Sequence, residues 1–184
     1  QRPDWQYMIS NGKTGTRPDG NPDQYFPWAG RVILRDDWSR DSLWAYFDAG
    51  PYGTAHQHID RLHLSVFGDQ RPLLTDQGRY TYHPSAAYEY FTGQRGHNII
   101  LLDNQAVESA PREVKTPLPV DVRFSGELSM ARARAPFPAS WNTSPAEHER
   151  TVYAWKHRGW IVVDRLNFSG YRAIDAIWHF HPEV

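Results

Sequence analysis

Residues 54–82 read TAHQHIDRLHLSVFGDQRPLLTDQGRYTY. From His58 to Phe67 the residue types are those of a β-strand, and the short apolar run Pro72-Leu73-Leu74-Thr75 reads as the next strand of a hairpin. The same stretch carries His56, His58, Asp60 and Asp76. On a strand, residues i, i+2 and i+4 point the same way, at steps of about 6.6 Å. His56, His58 and Asp60 are therefore predicted to share one face, with the Asp76 carboxylate reaching back to it from the second strand. His97, at the start of the next strong strand, is a further candidate ligand. Three such protein ligands plus an open position make a reactive or semi-open zinc site. The alternative is a polar solvent face that happens to be rich in histidine, and spacing leaves both readings open. His63, His83, His148 and His157 are assigned to solvent or to local hydrogen bonds.

Outward from this stretch the strand signals repeat. Segments 31–35, 43–48, 58–67, 98–103, 120–133, 150–155, 160–166 and 173–180 are rich in β-branched or aromatic residues and bounded by Gly, Pro, Asn or Asp. In the last, Ile174, Ala176, Trp178 and Phe180 are expected on one face, with Asp175, His179 and His181 on the other. Helical periodicity is scarce, and its best short candidate is Ser85–Phe91. Strands at regular spacing with few helices predict an all-β, antiparallel β-sandwich. Residues 1–29, with the turn-rich run Gly12–Pro22, read as a linker or lead-in, and residues 30–184 as the β-domain. The GKTGT run at 12–16 lacks the first glycine of a phosphate loop and no strand precedes it, so that reading is rejected. The start reads as the inside of a longer chain or as a mature end, and the strand running to Val184 without a turn signal suggests a piece of a larger protein.

Composition narrows the function classes. The 184 residues suffice for one domain with a real core. The net charge of −1 gives no electrostatic footprint for nucleic acid or an anionic membrane, and no apolar run is long enough for a spanning helix. Cysteine is absent, so disulfides and thiolate metal sites are excluded and any zinc must be held by His and carboxylate. Eight Trp and ten Tyr suit stacking on sugars, and equally a sandwich core.

These residues carry a resemblance. A glycine-rich turn at 50–53, then His56-x-His58-x-Asp60, an apolar strand, Leu74-x-Asp76-x-Gly78-x-Tyr80, an aromatic loop through Tyr90-Phe91, and His97-Asn98 before a strand ending in Asp103 follow one another in order. The pattern resembles the central β-domain of the heparinase II/III-like polysaccharide lyases, which include the heparinase II, heparinase III and oligoalginate lyase families. Weaker similarity covers most of the chain after residue 24. The resemblance implies an (α/α) toroid before this domain, not contained in these residues, and further strands of a β-supersandwich after it. It implies β-elimination on uronic-acid polysaccharides such as heparin, heparan sulfate or alginate. It places zinc ligands on His58, Asp76 and His97, and a substrate-contacting residue on His56. A family tyrosine falls in the Tyr80–Tyr90 loop, with Tyr82 first choice and Tyr88 second.

The chemistry is consistent with the residue types. Elimination needs the uronate carboxylate neutralised, a base for the C5 proton and an acid for the departing O4. Tyr and His suit the last two tasks. The paired carboxylates that a glycoside hydrolase requires are not evident. Asp60 is expected to orient an imidazole, or else to pair with an arginine such as Arg61. Arg79 and Arg95 are candidates for meeting anionic sugar groups, or solvent-facing charges. The main base of the family comes from the toroid, so this chain alone is expected to be inactive. An anionic polysaccharide and the toroid are the expected partners, and a periplasmic or secreted location follows from the substrate. Two other readings compete. Gly50 and His56-x-His58 have cupin spacing, but Leu62 and His63 stand where a cupin needs Glu, and its Pro-x-Gly motif is not matched around Gly93–His97. The other is a non-catalytic carbohydrate-binding sandwich.

Overall fold

The computed structural model of the protein describes residues 2–53, 56, 58–107, 116–138 and 145–184. Strand alternation builds its first layer. β1 (Gln24–Phe26), β2 (Arg31–Arg35), β3 (Trp44–Asp48), β4 (Leu64–Gly68) and β5 (Arg71–Leu74) form an antiparallel sheet in chain order. Val32 and Leu34 on β2, Ala45 and Phe47 on β3, and Leu64 and Val66 on β4 turn inward and are buried.

Between β5 and the next strand lie a short helix, α2 (Ala86–Thr92), and a 3₁₀ turn at Gln94–Gly96. The first helix, α1, is Pro3–Ile9. β6 (Ile100–Leu102) follows and is buried throughout. The second layer is a sheet of β7 (Val120–Arg123), β8 (Leu128–Pro136), β9 (Glu147–Trp155) and β10 (Gly159–Asn167), in the order β10-β9-β8-β7. Ala131, Ala133 and Ala135 on β8, with Val152 and Ala154 on β9, meet the inward residues of β2–β4 in one core. β11 (Ile174–Ala176) pairs with β6. The architecture is the expected antiparallel β-sandwich. The helix predicted around Ser85–Phe91 is present, with the Ser85 hydroxyl accepting the Tyr88 N–H as an N-cap.

Three expectations change. The strand predicted over 58–67 begins only at Leu64. Before it the chain turns: the Leu62 N–H donates to Asp48 O, the His63 N–H donates to Asp60 O, and His56 and Leu62 take left-handed φ of 54° and 69°. His56, His58 and Asp60 therefore do not line a strand face. The run 120–133 is two strands, because the Ser125 hydroxyl accepts the N–H groups of Glu127 and Leu128 and closes a turn between them. In 173–180 only Ile174–Ala176 is strand. Ile174 and Phe180 are exposed, whereas Ile177 and Trp178 pack inward, because the chain leaves β6 after Ile177 bonds Ile99 O and reaches the edge of β5 through Thr75 and Leu73. The segment read as a lead-in carries α1 and β1, and its Asp23 is buried with Lys156 and Ser129 of the second sheet.

Candidate metal centre

Three loops at one end of the five-stranded sheet bring the candidate ligands together. His58 stands on the turn before β4, tied down where the Ile59 N–H donates to Thr92 O at the end of α2. Asp76 follows β5 in a turn of its own, its Oδ1 accepting the Gly78 N–H at 2.7 Å. The left-handed φ of +65° at Gly78 suits glycine there. His97 leaves the 3₁₀ turn and is fully buried. Gly96 makes this approach possible, since a Cβ would stand 2.8 Å from the Tyr90 carbonyl oxygen. One donor atom from each of His58, Asp76 and His97 lies within 4.8 Å of the others.

The donor set fits a metal ion. It holds two imidazoles and a carboxylate, a combination that zinc accepts. Nδ1 of His97 lies 3.1 Å from Asp76 Oδ2, close to the roughly 3.3 Å between ligand atoms around a tetrahedral zinc. The other ring nitrogen of His97, Nε2, is buried with no hydrogen-bond partner. Burial, helped by His97, lowers the pKa of His58 and favours the neutral form that ligates. Partial burial works against ionisation of Asp76, but the hydrogen bond with His97, the neighbouring His63 and the Gly78 N–H outweigh it and hold its pKa well below the ordinary range.

Of the two readings for His63, solvent or a local hydrogen bond, the local bond is present, to Ser65, but the ring is buried and forms a wall of the centre. Its Nδ1 accepts the Asn98 N–H at 3.0 Å, so in the neutral ring the proton sits on Nε2. Nε2 faces Ser65 Oγ at 2.8 Å and Asp76 Oδ2 at 3.5 Å. Burial pushes its pKa down to about 3, so it is neutral near pH 7. No sequence pattern marked it, because its partners come from 2, 13 and 35 positions away along the chain.

At the rim, the Tyr82 hydroxyl lies 3.3 Å from His56 Nδ1, and the two rings meet edge to face. The Arg79 guanidinium stands 5.0 Å from the Tyr82 ring centre and 5.5 Å from that of Tyr88. Both tyrosine candidates therefore share one cation, but only Tyr82 reaches His56. The sequence matches the heparinase II/III-like C-terminal family over residues 18–184. The chain belongs to that family.

The match starts inside the segment read as a lead-in. A comparison with curated proteins gave no match. Among solved structures, the fold is similar to a heparinase III gene product (TM-score 0.79, 20% identity, covering 98% of this chain and 27% of that one). It is similar to the heparan sulfate lyase HepC of Pedobacter heparinus (TM-score 0.80, 19% identity, 98% and 27%). A further heparinase III aligns with a TM-score of 0.68 at 17% identity, over 88% of this chain and 25% of that one. The chain thus spans about a quarter of the length of the structures it matches.

Within this heparinase II/III-like domain, Asp60 differs from expectation. Among the described residues no hydrogen bond joins the Asp60 carboxylate to an imidazole. Burial raises its pKa against the pull of His97, Arg31 and His58. Nor does Asp60 pair with Arg61, which donates to the carbonyls of Gly50 and Thr116. Arg95 is half-exposed and is held by Asn104 and Asp175. An open groove of about 450 Å³ runs from Asp60, His63 and Asp76 over Tyr46, Ile33 and Trp44, on the outer face of the first sheet.

Proposed function

We propose that this domain is the β-part of a polysaccharide lyase that cleaves uronic-acid-containing chains, of the heparin, heparan sulfate or alginate type, by β-elimination. The observation that carries the reading is the His56–Tyr82 contact at the rim of the His58–Asp76–His97 cluster, in a domain of this family. Support for the substrate class also comes from the names of its structural relatives, heparinase III and a heparan sulfate lyase.

The residues divide the work as follows. Bound zinc would supply a tie between loops, with His58, Asp76 and His97 as its ligands. Asp76 and His97 bracket segment 77–96, so that tie holds the segment carrying Tyr82 against the turn carrying His56. Arg79 places positive charge where a uronate carboxylate enters. Withdrawal of the C5 proton leaves the electron pair to form the C4–C5 double bond, the C4–O4 bond breaks, and the departing oxygen takes a proton. Tyr82 and His56, in hydrogen-bond reach of each other, are the pair through which a proton is passed at that bond. The proton-abstracting base and the remaining sugar contacts come from the toroid of the longer protein, so the domain by itself is inactive. A periplasmic or secreted location suits such a substrate.

The test is a lyase assay on a longer protein carrying this domain, read as ultraviolet absorbance of the new double bond on heparan sulfate and on alginate. Absorbance growth that fails in Tyr82→Phe and His56→Ala supports the reading. Binding of the polysaccharides without any unsaturated product would favour the non-catalytic sugar-binding module instead.

A further inference from the structure

Asn98 follows His97 and is fully buried, and every polar group it owns is used. Its side-chain Nδ2 donates to Leu64 O at 2.9 Å and to Thr75 O at 3.0 Å. Its Oδ1 accepts the His179 N–H at 2.6 Å, and its own N–H goes to His63 Nδ1. Its carbonyl accepts Arg150 Nη1 at 2.7 Å. Thr75 is the neighbour of Asp76, and Leu64 ends the turn that begins at His58. One side chain therefore touches all three segments that carry the cluster.

Arg150 reaches the same place from the opposite sheet. It is fully buried on β9, and the Nη1 that meets Asn98 O also donates to Leu62 O at 2.8 Å. Its remaining nitrogens are fixed by Asp164 on β10, Nε at 2.7 Å and Nη2 at 3.0 Å, and Trp178 stacks on the guanidinium at 4.9 Å. The fork is thus oriented before it meets the two carbonyls.

We infer that Asn98 and Arg150 are positioning residues of the metal centre, holding the His58, Asp76 and His97 segments at ligand spacing from inside the sandwich. The inference rests on reading that cluster as a metal site. Among the described residues neither makes a hydrogen bond to a ligand side chain. Each sets the backbone from which a ligand projects; groups bonded directly to a ligand govern metal affinity by about 10–100-fold, and a loosened ligand backbone is expected to act at the lower end of that scale.

Zinc affinity, measured by chelator competition on the purified protein, tests this in wild type, Asn98→Ser, Arg150→Lys and a control, Ser129→Ala. Ser129 makes a buried hydrogen bond to Asp23 and touches none of the ligand segments. Asn98→Ser and Arg150→Lys are expected to weaken zinc binding about tenfold or more. Ser129→Ala is expected to lose thermal stability and keep wild-type affinity. Wild-type affinity in both folded positioning variants would overturn the inference and leave the metal reading intact; should Asn98→Ser fail to fold, Arg150→Lys decides alone. A wild type that takes up no zinc would instead overturn the metal reading. Crystal structures of wild type and Arg150→Lys then judge the positioning by itself. Donor atoms of the three residues still within 4.8 Å in the variant would overturn it, and donors drawn apart would sustain it.

Discussion

The hydroxyl of Tyr82 lies 3.3 Å from Nδ1 of His56, although 26 positions separate the two residues. Tyr88, on α2, shares the Arg79 guanidinium without reaching that imidazole. In a longer protein carrying this domain, Tyr82→Phe and His56→Ala are expected to lower kcat by about a hundredfold or more, the usual scale for a lost proton-transfer group. Tyr88→Phe is expected to stay within a few-fold of wild type. Equal losses at Tyr82 and Tyr88, with metal content unchanged, would mean that the ring–cation contact matters and the His56 contact does not.

Metal removal should loosen one segment first. With zinc at a hundred times its dissociation constant, chelation is expected to cost about 3 kcal/mol of stability. For a domain of this size that is a fall in Tm of about 5–10 °C. Limited proteolysis after chelation is expected to cut first within 77–96, which the cluster brackets. A melting curve indifferent to both zinc and chelator would contradict the ligand assignment.

Asp164 holds the fully buried Arg150 through Nε and Nη2 and also bonds His148 Nε2 at 2.7 Å. Asp164→Asn leaves a buried guanidinium without its counter-charge, and about 3 kcal/mol of stability is expected to be lost in urea unfolding. The double change Asp164→Leu with Arg150→Met is expected to recover part of that loss while weakening zinc binding. Recovery of both together would show that the ion pair has no part in the metal centre.

Acid should act in two stages. Burial lowers the pKa of His58 and His148 and takes that of His63 to about 3. All three rings take up a proton less readily in the fold than in the unfolded chain, where histidine titrates near pH 6.5, so the unfolded chain binds more protons below that pH and stability falls as pH drops. Asp164, though burial opposes it, is held at about 2 by His148 and Arg150. Its contribution is complete above about pH 4 and is lost as pH falls through 2. Asp60, raised by burial, works in the opposite sense and partly offsets the first stage. Metal-free protein unfolded in urea across pH 8 to 3 is expected to weaken from pH 6.5 downward. A flat profile between pH 7 and 5 would refute the histidine part.

The domain should not tolerate removal of its lead-in. Asp23 is buried against Lys156 Nζ at 2.6 Å and also accepts the Ser129 hydroxyl and the Arg35 N–H. Deleting residues 2–29 is expected to leave an insoluble or molten chain, and Asp23→Asn to cost about 3 kcal/mol by stranding a buried ammonium. A soluble, cooperatively melting 30–184 chain would restore the boundary read from turn-forming residues.

The sandwich was legible wherever a strand separates core from solvent. At 131–135 buried alanines alternate with exposed arginines, and that alternation is visible in the residue types themselves. It failed at 58–63, where polar residues at every second position imitate a half-buried strand but the chain is held in a turn by Asp48 and Asp60. It failed again at 173–180, where the inward residues are Ile177 and Trp178, adjacent in sequence. The grouping of His58, Asp76 and His97 was legible through family resemblance, not through the face geometry first argued for it. The roles of His63, Asn98 and Arg150 were not legible, because they lie in carbonyls and ring nitrogens contributed from distant strands, which no local pattern announces.

Asp76 and His97 stand 21 positions apart and meet at 3.1 Å. Joined through one ion, they would close a loop of the length that a disulfide closes to gain about 3 kcal/mol in the chain-entropy account. A chain without a single cysteine would then possess a staple of its own. Such a staple ignores thiols and oxidants and answers to the supply of metal, so the ordering of the Tyr82 loop would be set by how much zinc its surroundings provide.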